Sequence, residues 1–328
     1  MRIHNKQTVI LLVLILVINL VTLMRFPGPN GDEAWMSSRA LEIIESGNSF
    51  GELDRGVLDK YAGYENFNPW LSSAIQSIGI RIFGTPSLFA IRFISLIAGF
   101  ILLIAVFWIG NALDGKMLGF LSVAFTAFSW TFLLSSHLGR PDIIAAAFGY
   151  SSLALYLNNH HSKIWVSSLI GILAVLAFEV HPNGIIYCLT IGTLFFFRYK
   201  WDTQKKPDFW GFVAGSVIGI IIYFILHIFP NPRTYFKLSQ LVFSSTHIPP
   251  LFSLNLSVIL NGFGDMVIMI ILLCPQILIG ILFVNRFRKN RRPYITTLVV
   301  INLLLLLGFL LLVRNKFFPH YAIHYITG

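Results

Sequence analysis

The sequence predicts an all-α integral membrane protein with about nine transmembrane helices. Three observations lead to this fold class. Only 12% of the residues are charged and 56% are hydrophobic, whereas soluble domains carry about 25% charged residues. The apolar residues form runs of about 16 to 24, the length of a helix that crosses a bilayer. Lys and Arg accumulate on one side of these runs. A water-soluble globular enzyme and a disordered chain are both excluded.

The apolar runs occur along the whole chain, which we treat as one polytopic domain over 1–328. The first run is interpreted as a retained signal anchor, because no small-residue cleavage site follows it. Cys188 and Cys274 lie inside apolar runs and predict neither a disulfide framework nor a metal site. In chain order the predicted spans are 9–24, 86–109, 117–136, 141–158, 164–180, 184–198, 209–229, 266–284 and 295–313.

The basic residues predict the orientation of the chain. If the N-terminus is cytoplasmic, the external loop 25–85 carries five basic and eight acidic residues, as the positive-inside rule expects. The net charge of +10 is then explained by attraction to anionic membrane lipids. No nucleic-acid motif accompanies it, so nucleic acid is not an expected partner. The cytoplasmic loops receive Arg2, Lys6, Lys116, Lys163, Arg198, Lys200, Lys205, Lys206, Arg286, Arg288, Lys289, Arg291 and Arg292.

Two amphipathic helices are predicted in the external loop 25–85. Residues 32–46 carry one apolar stripe and end at Gly47. Residues 69–83 carry another, with Asn68 as the cap and Pro69 at the first position. We expect both to be interfacial helices on the outer leaflet. The stripes are Met36, Ala40, Ile43 and Ile44 in the first helix, and Leu71, Ala74, Ile75, Ile78 and Ile82 in the second.

An acidic pair, Asp32 and Glu33, opens the first of these helices. Acids at a helix N-terminus cap it and meet the positive end of its dipole. On this feature alone, capping is the simpler interpretation, although it suffices for only one of the two carboxylates.

Two further external junctions carry ionisable groups at the membrane edge. The first runs from His137 through Arg140 to Asp142. Its alternatives are a functional site and a purely structural role, in which Arg140 pairs with Asp142 and Asp142 caps the next helix. The second contains Glu179 and His181 ahead of a Pro-Asn-Gly turn, and the turn explains neither of them.

The distribution of polar groups favours an active site at the external interface. Acids, His and Arg gather at three external junctions, whereas cytoplasmic loops contain mainly Lys and Arg. A channel or carrier would more often place polar groups at mid-membrane. Within the spans, Arg92 and His227 are exceptions, and we expect Arg92 to snorkel towards the nearby helix end. The alternatives are a transporter or lipid flippase without transferase chemistry, and a non-catalytic assembly protein.

Several of these features together resemble a known family. They are the Asp32-Glu33 pair after the first span, Asn-Pro-Trp-Leu at 68–71, Phe-Ala-Ile-Arg-Phe at 89–93, Arg-Pro-Asp at 140–142 and His-Pro-Asn-Gly at 181–184. Their order and topology are similar to those of the GT-C-fold glycosyltransferases of the protein-mannosyltransferase and aminoarabinose-transferase type, over about residues 9–200. Relatives often have His-Pro-Pro where this chain has Asn68-Pro69-Trp70.

The resemblance implies an inverting glycosyltransferase that uses a polyprenyl-phosphate-linked monosaccharide. It places Asp32, Glu33 and Asp142 in the catalytic site and offers Arg140 for the donor phosphate. Because such chains are typically longer, we interpret 86–200 as the core transmembrane module and 201–328 as a variable part that is truncated or short.

Elementary chemistry adds further candidates. Asp32 would accept the proton of the acceptor hydroxyl, and cationic groups would stabilise the leaving phosphate. For the phosphate these are Arg140, Lys60, Arg55 and His181, and for lining the substrate they are Tyr61, Tyr64, Asn68 and His137. The sequence requires no cofactor; if a divalent ion is used, Asp32 and Asp142 would hold it.

The expected protein is therefore a multi-pass enzyme of the cell membrane with its active site on the external or periplasmic face. Its predicted partners are the lipid-linked sugar donor, a lipid, glycan or protein acceptor, and the surrounding membrane lipids.

Overall fold

The computed structural model describes residues 5–56, 59, 70–159, 163–201 and 206–237. Within these ranges the regular structure is entirely helical, which confirms the all-α class. The predicted spans 266–284 and 295–313 lie outside the described residues. The helices are α1 (Asn5–Thr22), α2 (Gly31–Glu45), α3 (Trp70–Phe83), α4 (Leu88–Ala127), α5 (Trp130–His137), α6 (Pro141–Asn158), α7 (Ile164–Val180), α8 (Ile185–Trp201) and α9 (Lys206–Tyr223).

Two of the described helical stretches are long and apolar enough to cross a membrane by themselves. They are Leu88–Ala127 and Pro207–Ile228, while Lys6–Thr22 and Ile164–Val180 are shorter apolar helices. The bounds of α6 and α7 coincide with the predicted 141–158 and 164–180. The total of about nine spans stays a prediction.

Helix α4 contains a reversal that divides it into two antiparallel halves. Asp114 and Gly115 leave helical geometry, and Gly115 has φ +82°, a value that favours glycine. Gly110 then faces Gly119, so that a Cβ on Gly110 would lie 2.8 Å from the Gly119 Cα. The predicted spans 86–109 and 117–136 therefore meet through glycines. The second of them is interrupted again before α5, where the Ser129 hydroxyl accepts a hydrogen bond from Phe132 N–H.

Helices α4, α6 and α7 form the apolar centre of the described bundle. Leu102, Leu103, Ile143 and Ile170 are among its fully buried side chains. Large apolar residues on α1 and α9 are exposed instead, as expected for helices that face lipid.

Helices α7 and α9 pack side by side along a row of small residues. Gly211, Gly215 and Gly219 recur every fourth position on α9 and lie against Ile164, Ser168 and Val175 of α7, respectively. Small residues at this spacing let helix backbones approach closely, the usual basis of helix association in membranes. The two helices run parallel, since the same ends of both meet at the Glu179–His227 contact.

The two helices of the segment 25–85, α2 and α3, differ in which side chains they bury. Met36 and Ala40 of α2 are buried, and Ala40 packs with Ile80 of α3 and Ala90 of α4. Neighbouring helices therefore cover part of the α2 stripe, and an interfacial position for α2 stays a prediction.

Helix α3 exposes the C-terminal part of its apolar stripe and buries several polar residues, while Leu71 and Ile75 of the stripe pack against the core. Ile78 and Ile82 are exposed, whereas Ser72, Ser73 and Gln76 are completely buried. Exposed apolar side chains suit contact with lipid, and an interfacial position for α3 stays a prediction.

The close α7–α9 contact predicts a position-dependent effect of Gly→Ala substitution. A Cβ at Gly215 would collide with the backbone of Ser168, so Gly215→Ala should lower the free energy of unfolding by about 1–3 kcal/mol. The matched control is Gly192→Ala, where the nearest atom to the new Cβ would be 3.6 Å away. Thermal unfolding in detergent should show a lower midpoint for the first variant only; equal shifts would contradict the packing.

Candidate active site

The first turn of α2 separates its two acidic residues. Asn30 caps the helix: its side-chain oxygen accepts from Asp32 N–H at 3.0 Å, and its own N–H donates to Glu33 Oε2 at 3.0 Å. Consecutive helical residues point about 100° apart. As a result, the Asp32 side chain is 54% exposed and that of Glu33 is 1% exposed.

Glu33 forms a buried ion pair with Arg92 of α4. Arg92 Nε and Nη2 donate to the two carboxylate oxygens, each at 2.8 Å. The guanidinium also donates to the carbonyls of Leu23, Pro27 and Gly28 at 2.9–3.2 Å. Arg92 is fully buried, so the expectation that it snorkels to the helix end is wrong. The chain after α1 and the start of α2 enclose it instead.

The same carboxylate reaches the junction between α5 and α6. Glu33 Oε1 accepts from Gly139 N–H at 2.7 Å, and Gln76 of α3 donates to the Gly139 carbonyl at 2.9 Å. Gly139 directly precedes Arg140. These bonds therefore place Arg140 beside the start of α2, more than a hundred residues away in the chain.

Arg140 bridges two of the predicted catalytic carboxylates. Its Nε donates to Asp142 Oδ2 at 2.9 Å, and its Nη1 donates to Asp32 Oδ2. Asp142 opens α6 behind Pro141 and is buried, whereas Asp32 remains accessible. An exposed and a buried carboxylate thus share one guanidinium.

His181 completes this group from the end of α7. Its Nε2 lies 3.8 Å from Asp142 Oδ1, and its Nδ1 accepts from Asn183 N–H at 3.2 Å. Burial lowers the pKa of His181 from its ordinary value of 6.5; the Asp142 charge acts in the opposite direction, and Arg140 lowers the pKa further. The ring is therefore mainly neutral at pH 7.

The four side chains combine an accessible base with a fixed cation. Asp32 is reachable by a hydroxyl-bearing molecule, and Arg140 supplies positive charge next to it. The guanidinium contacts both aspartates that the sequence offers to a divalent ion. Among the described residues, no group of three or more His, Cys, Asp or Glu is arranged to hold a metal. Metal binding by the two aspartates stays a prediction.

The other predicted site residues are not brought to this group. His137 is fully buried, with Nε2 2.9 Å from the Thr22 hydroxyl and Nδ1 3.1 Å from that of Ser136. This differs from the expected substrate-lining position, because contacts within the bundle occupy both ring nitrogens. Arg55 is 63% exposed and lies 3.8 Å from Glu42. Lys60, Tyr61, Tyr64 and Asn68 lie outside the described residues.

The segment 25–85 has a second buried ion pair, which sequence reasoning missed. Arg39 donates to Asp54 through Nε and Nη2, each at 2.9 Å, and Trp35 Nε1 donates to Asp54 at 2.6 Å. The pair attaches the turn at Glu52–Asp54 to α2. Its only signal in the sequence is the position of Trp35 and Arg39 one turn apart on the same side of α2.

Comparison with known proteins adds one finding to this geometry. Residues 68–230, about half of the chain, match a family described as dolichyl-phosphate-mannose-protein mannosyltransferase. No curated protein and no solved structure gives a match. The matched region contains Arg92, Arg140, Asp142 and His181, and Asp32 and Glu33 precede it. The chain belongs to the dolichyl-phosphate-mannose-protein mannosyltransferase family.

Proposed function

We propose that this protein is an inverting glycosyltransferase that transfers a monosaccharide from a polyprenyl-phosphate donor to a lipid, glycan or protein acceptor at the external face of the cell membrane. The family indicates a glycosyltransferase of the mannosyltransferase type in a membrane. The observation that carries the finer proposal is the bridge that Arg140 makes between Asp32 and Asp142.

Asp32 is proposed as the general base. Its exposed carboxylate accepts the acceptor hydroxyl proton while the acceptor oxygen bonds to the anomeric carbon. The bond from that carbon to the phosphate oxygen breaks at the same time, and the phosphate leaves with the electron pair. Attack opposite to the leaving group inverts the anomeric centre. Since the leaving group is a stable anion, no strong general acid is needed.

Arg140 is proposed to bind the donor phosphate. A guanidinium carries five N–H donors in a plane, which lets one side chain contact a carboxylate and a phosphate together. Positive charge fixed at this point stabilises the negative charge on the departing phosphate. Asp142 holds the Nε side of Arg140 at 2.9 Å, so we assign it an orienting role. Neutral His181 adds a polar group beside it without adding a charge.

The position of the polar groups supports transfer over transport. Asp32, Arg140, Asp142 and His181 all lie at helix ends that converge on one face of the described bundle. A carrier would place such groups along a path through the membrane. If the protein were a transporter or flippase, any sugar transfer measured in its membranes would not depend on Asp32.

The adjacent acids should give different phenotypes when each loses its charge. Asp32→Asn should lower kcat about 10²–10⁴-fold with little effect on stability, because it removes an exposed base. Glu33→Gln should instead lower the free energy of unfolding by about 3–5 kcal/mol, because it leaves Arg92 buried without its counter-ion. Transfer in membrane fractions, with a panel of radiolabelled polyprenyl-phosphate sugars, and thermal unfolding separate the two effects. Wild-type turnover by Asp32→Asn would refute the role of the base.

Removal of the bridging guanidinium should impair use of the lipid donor. Arg140→Ala is expected to lower kcat/KM for the donor about 10²–10³-fold, because it removes charge stabilisation at the phosphate. Lys163→Ala is the matched control, since it removes a positive charge at the opposite end of α7. An unchanged donor dependence in Arg140→Ala, or an equal loss in both variants, would remove the phosphate-binding assignment.

A further inference from the structure

We propose that Glu179 and His227 form a subsite that binds a hydroxyl of the transferred sugar. This inference rests on the proposed function and assigns a role to two residues that the mechanism above does not use. Glu179 lies in the last turn of α7, and His227 lies in the turn that follows α9.

The two side chains form a close buried contact. His227 Nε2 lies 2.5 Å from Glu179 Oε1, and the side chains are 0% and 7% exposed, respectively. Ionisable groups in membrane helices are costly and mark functional sites by default. The contact therefore needs an explanation beyond packing.

The other carboxylate oxygen of Glu179 can accept a hydrogen bond from a ligand. Glu179 Oε2 is buried and has no hydrogen-bond partner among the residues that the structure describes. A buried carboxylate oxygen without a donor is unfavourable. Because a carboxylate only accepts hydrogen bonds, the matching group is an O–H or N–H donor, and a monosaccharide offers several O–H groups.

The surroundings fit a sugar next to the reaction centre. Glu179 precedes His181 by two residues, which limits their Cα separation to about 7 Å, and His181 is beside Asp142. The Tyr223 ring lies 4.7 Å from that of His227, and the Tyr223 and Tyr235 hydroxyls are 2.7 Å apart. Aromatic rings with polar ends suit a ligand that has both apolar and polar faces.

The backbone at His227 is also unusual. Phe224–Ile228 forms a π-helical turn, a feature found frequently at functional sites. The wider turn changes the direction of the side chains that follow α9, and it accompanies the contact of His227 with α7. In this arrangement Glu179 binds the sugar and His227 is a positioning residue.

The test measures discrimination between a donor and its deoxy analogues. The polyprenyl-phosphate hexose that the wild-type protein uses best is compared with the same donor lacking one hydroxyl at a time. We expect one analogue to lose about 10- to 100-fold in kcat/KM, because a buried acceptor is left unpaired. Glu179→Met, which keeps the side-chain volume but removes the acceptor oxygens, should bring that ratio close to one. The ratio is internal to each preparation, so partial misfolding does not change it.

Two comparisons make the result specific. Asp208→Leu removes another buried carboxylate, from the opposite end of α9, and should leave the discrimination as in wild type. His227→Gln retains a donor for Glu179 and should preserve the discrimination, whereas His227→Leu should reduce it. Wild-type discrimination in Glu179→Met would overturn the subsite and leave the transferase intact. Failure of the wild-type protein to use any polyprenyl-phosphate sugar would overturn the proposed function, and this inference with it.

Discussion

The buried ion pair between Glu33 and Arg92 is the interaction on which the arrangement of the candidate active site depends. Arg92 holds three carbonyls of the chain that joins α1 to α2, and Glu33 holds the N-terminus of α2 and the backbone of Gly139. One pair thus joins α2 and α4 to the chain segments that follow α1 and α5. A buried pair with this many additional hydrogen bonds offsets the desolvation of its two charges, which a bare pair would not do.

Because of this ion pair, the neighbouring residues Asp32 and Glu33 have different roles. Glu33 is enclosed and its carboxylate is occupied by Arg92, Asn30 and Gly139. Asp32 points about 100° away on the same helix and meets Arg140, the residue after Gly139. The bond that fixes Gly139 therefore also sets the distance between the proposed base and the proposed phosphate-binding cation. Pre-set positions of this kind provide much of the rate acceleration in transfer reactions.

Sequence patterns located several of the helices and some of the charged groups at the candidate site. Hydropathy located α6 and α7, and the junctions that carry ionisable groups contained Asp32, Arg140 and Asp142. The ion-pair and hydrogen-bond partners of these charged groups could not be predicted, because they depend on how helices far apart in the chain pack together. Arg92 was expected at the surface since only its distance from a helix end was considered, and His137 was expected to line the substrate because it lies at the same junction as Arg140 and Asp142. The period of the apolar residues alone does not determine which side chains of α2 and α3 are buried.

The most direct measurement of the central claim is a double-mutant cycle on Asp32 and Arg140, in which kcat/KM for the lipid donor is measured in Asp32→Asn, Arg140→Ala and the double variant. Residues in contact that act as a unit are strongly non-additive. The account predicts that the double variant loses far less than the product of the two single losses, and close to the larger one. Losses that multiply would show that the two side chains act independently, and would contradict a site assembled around the bridge.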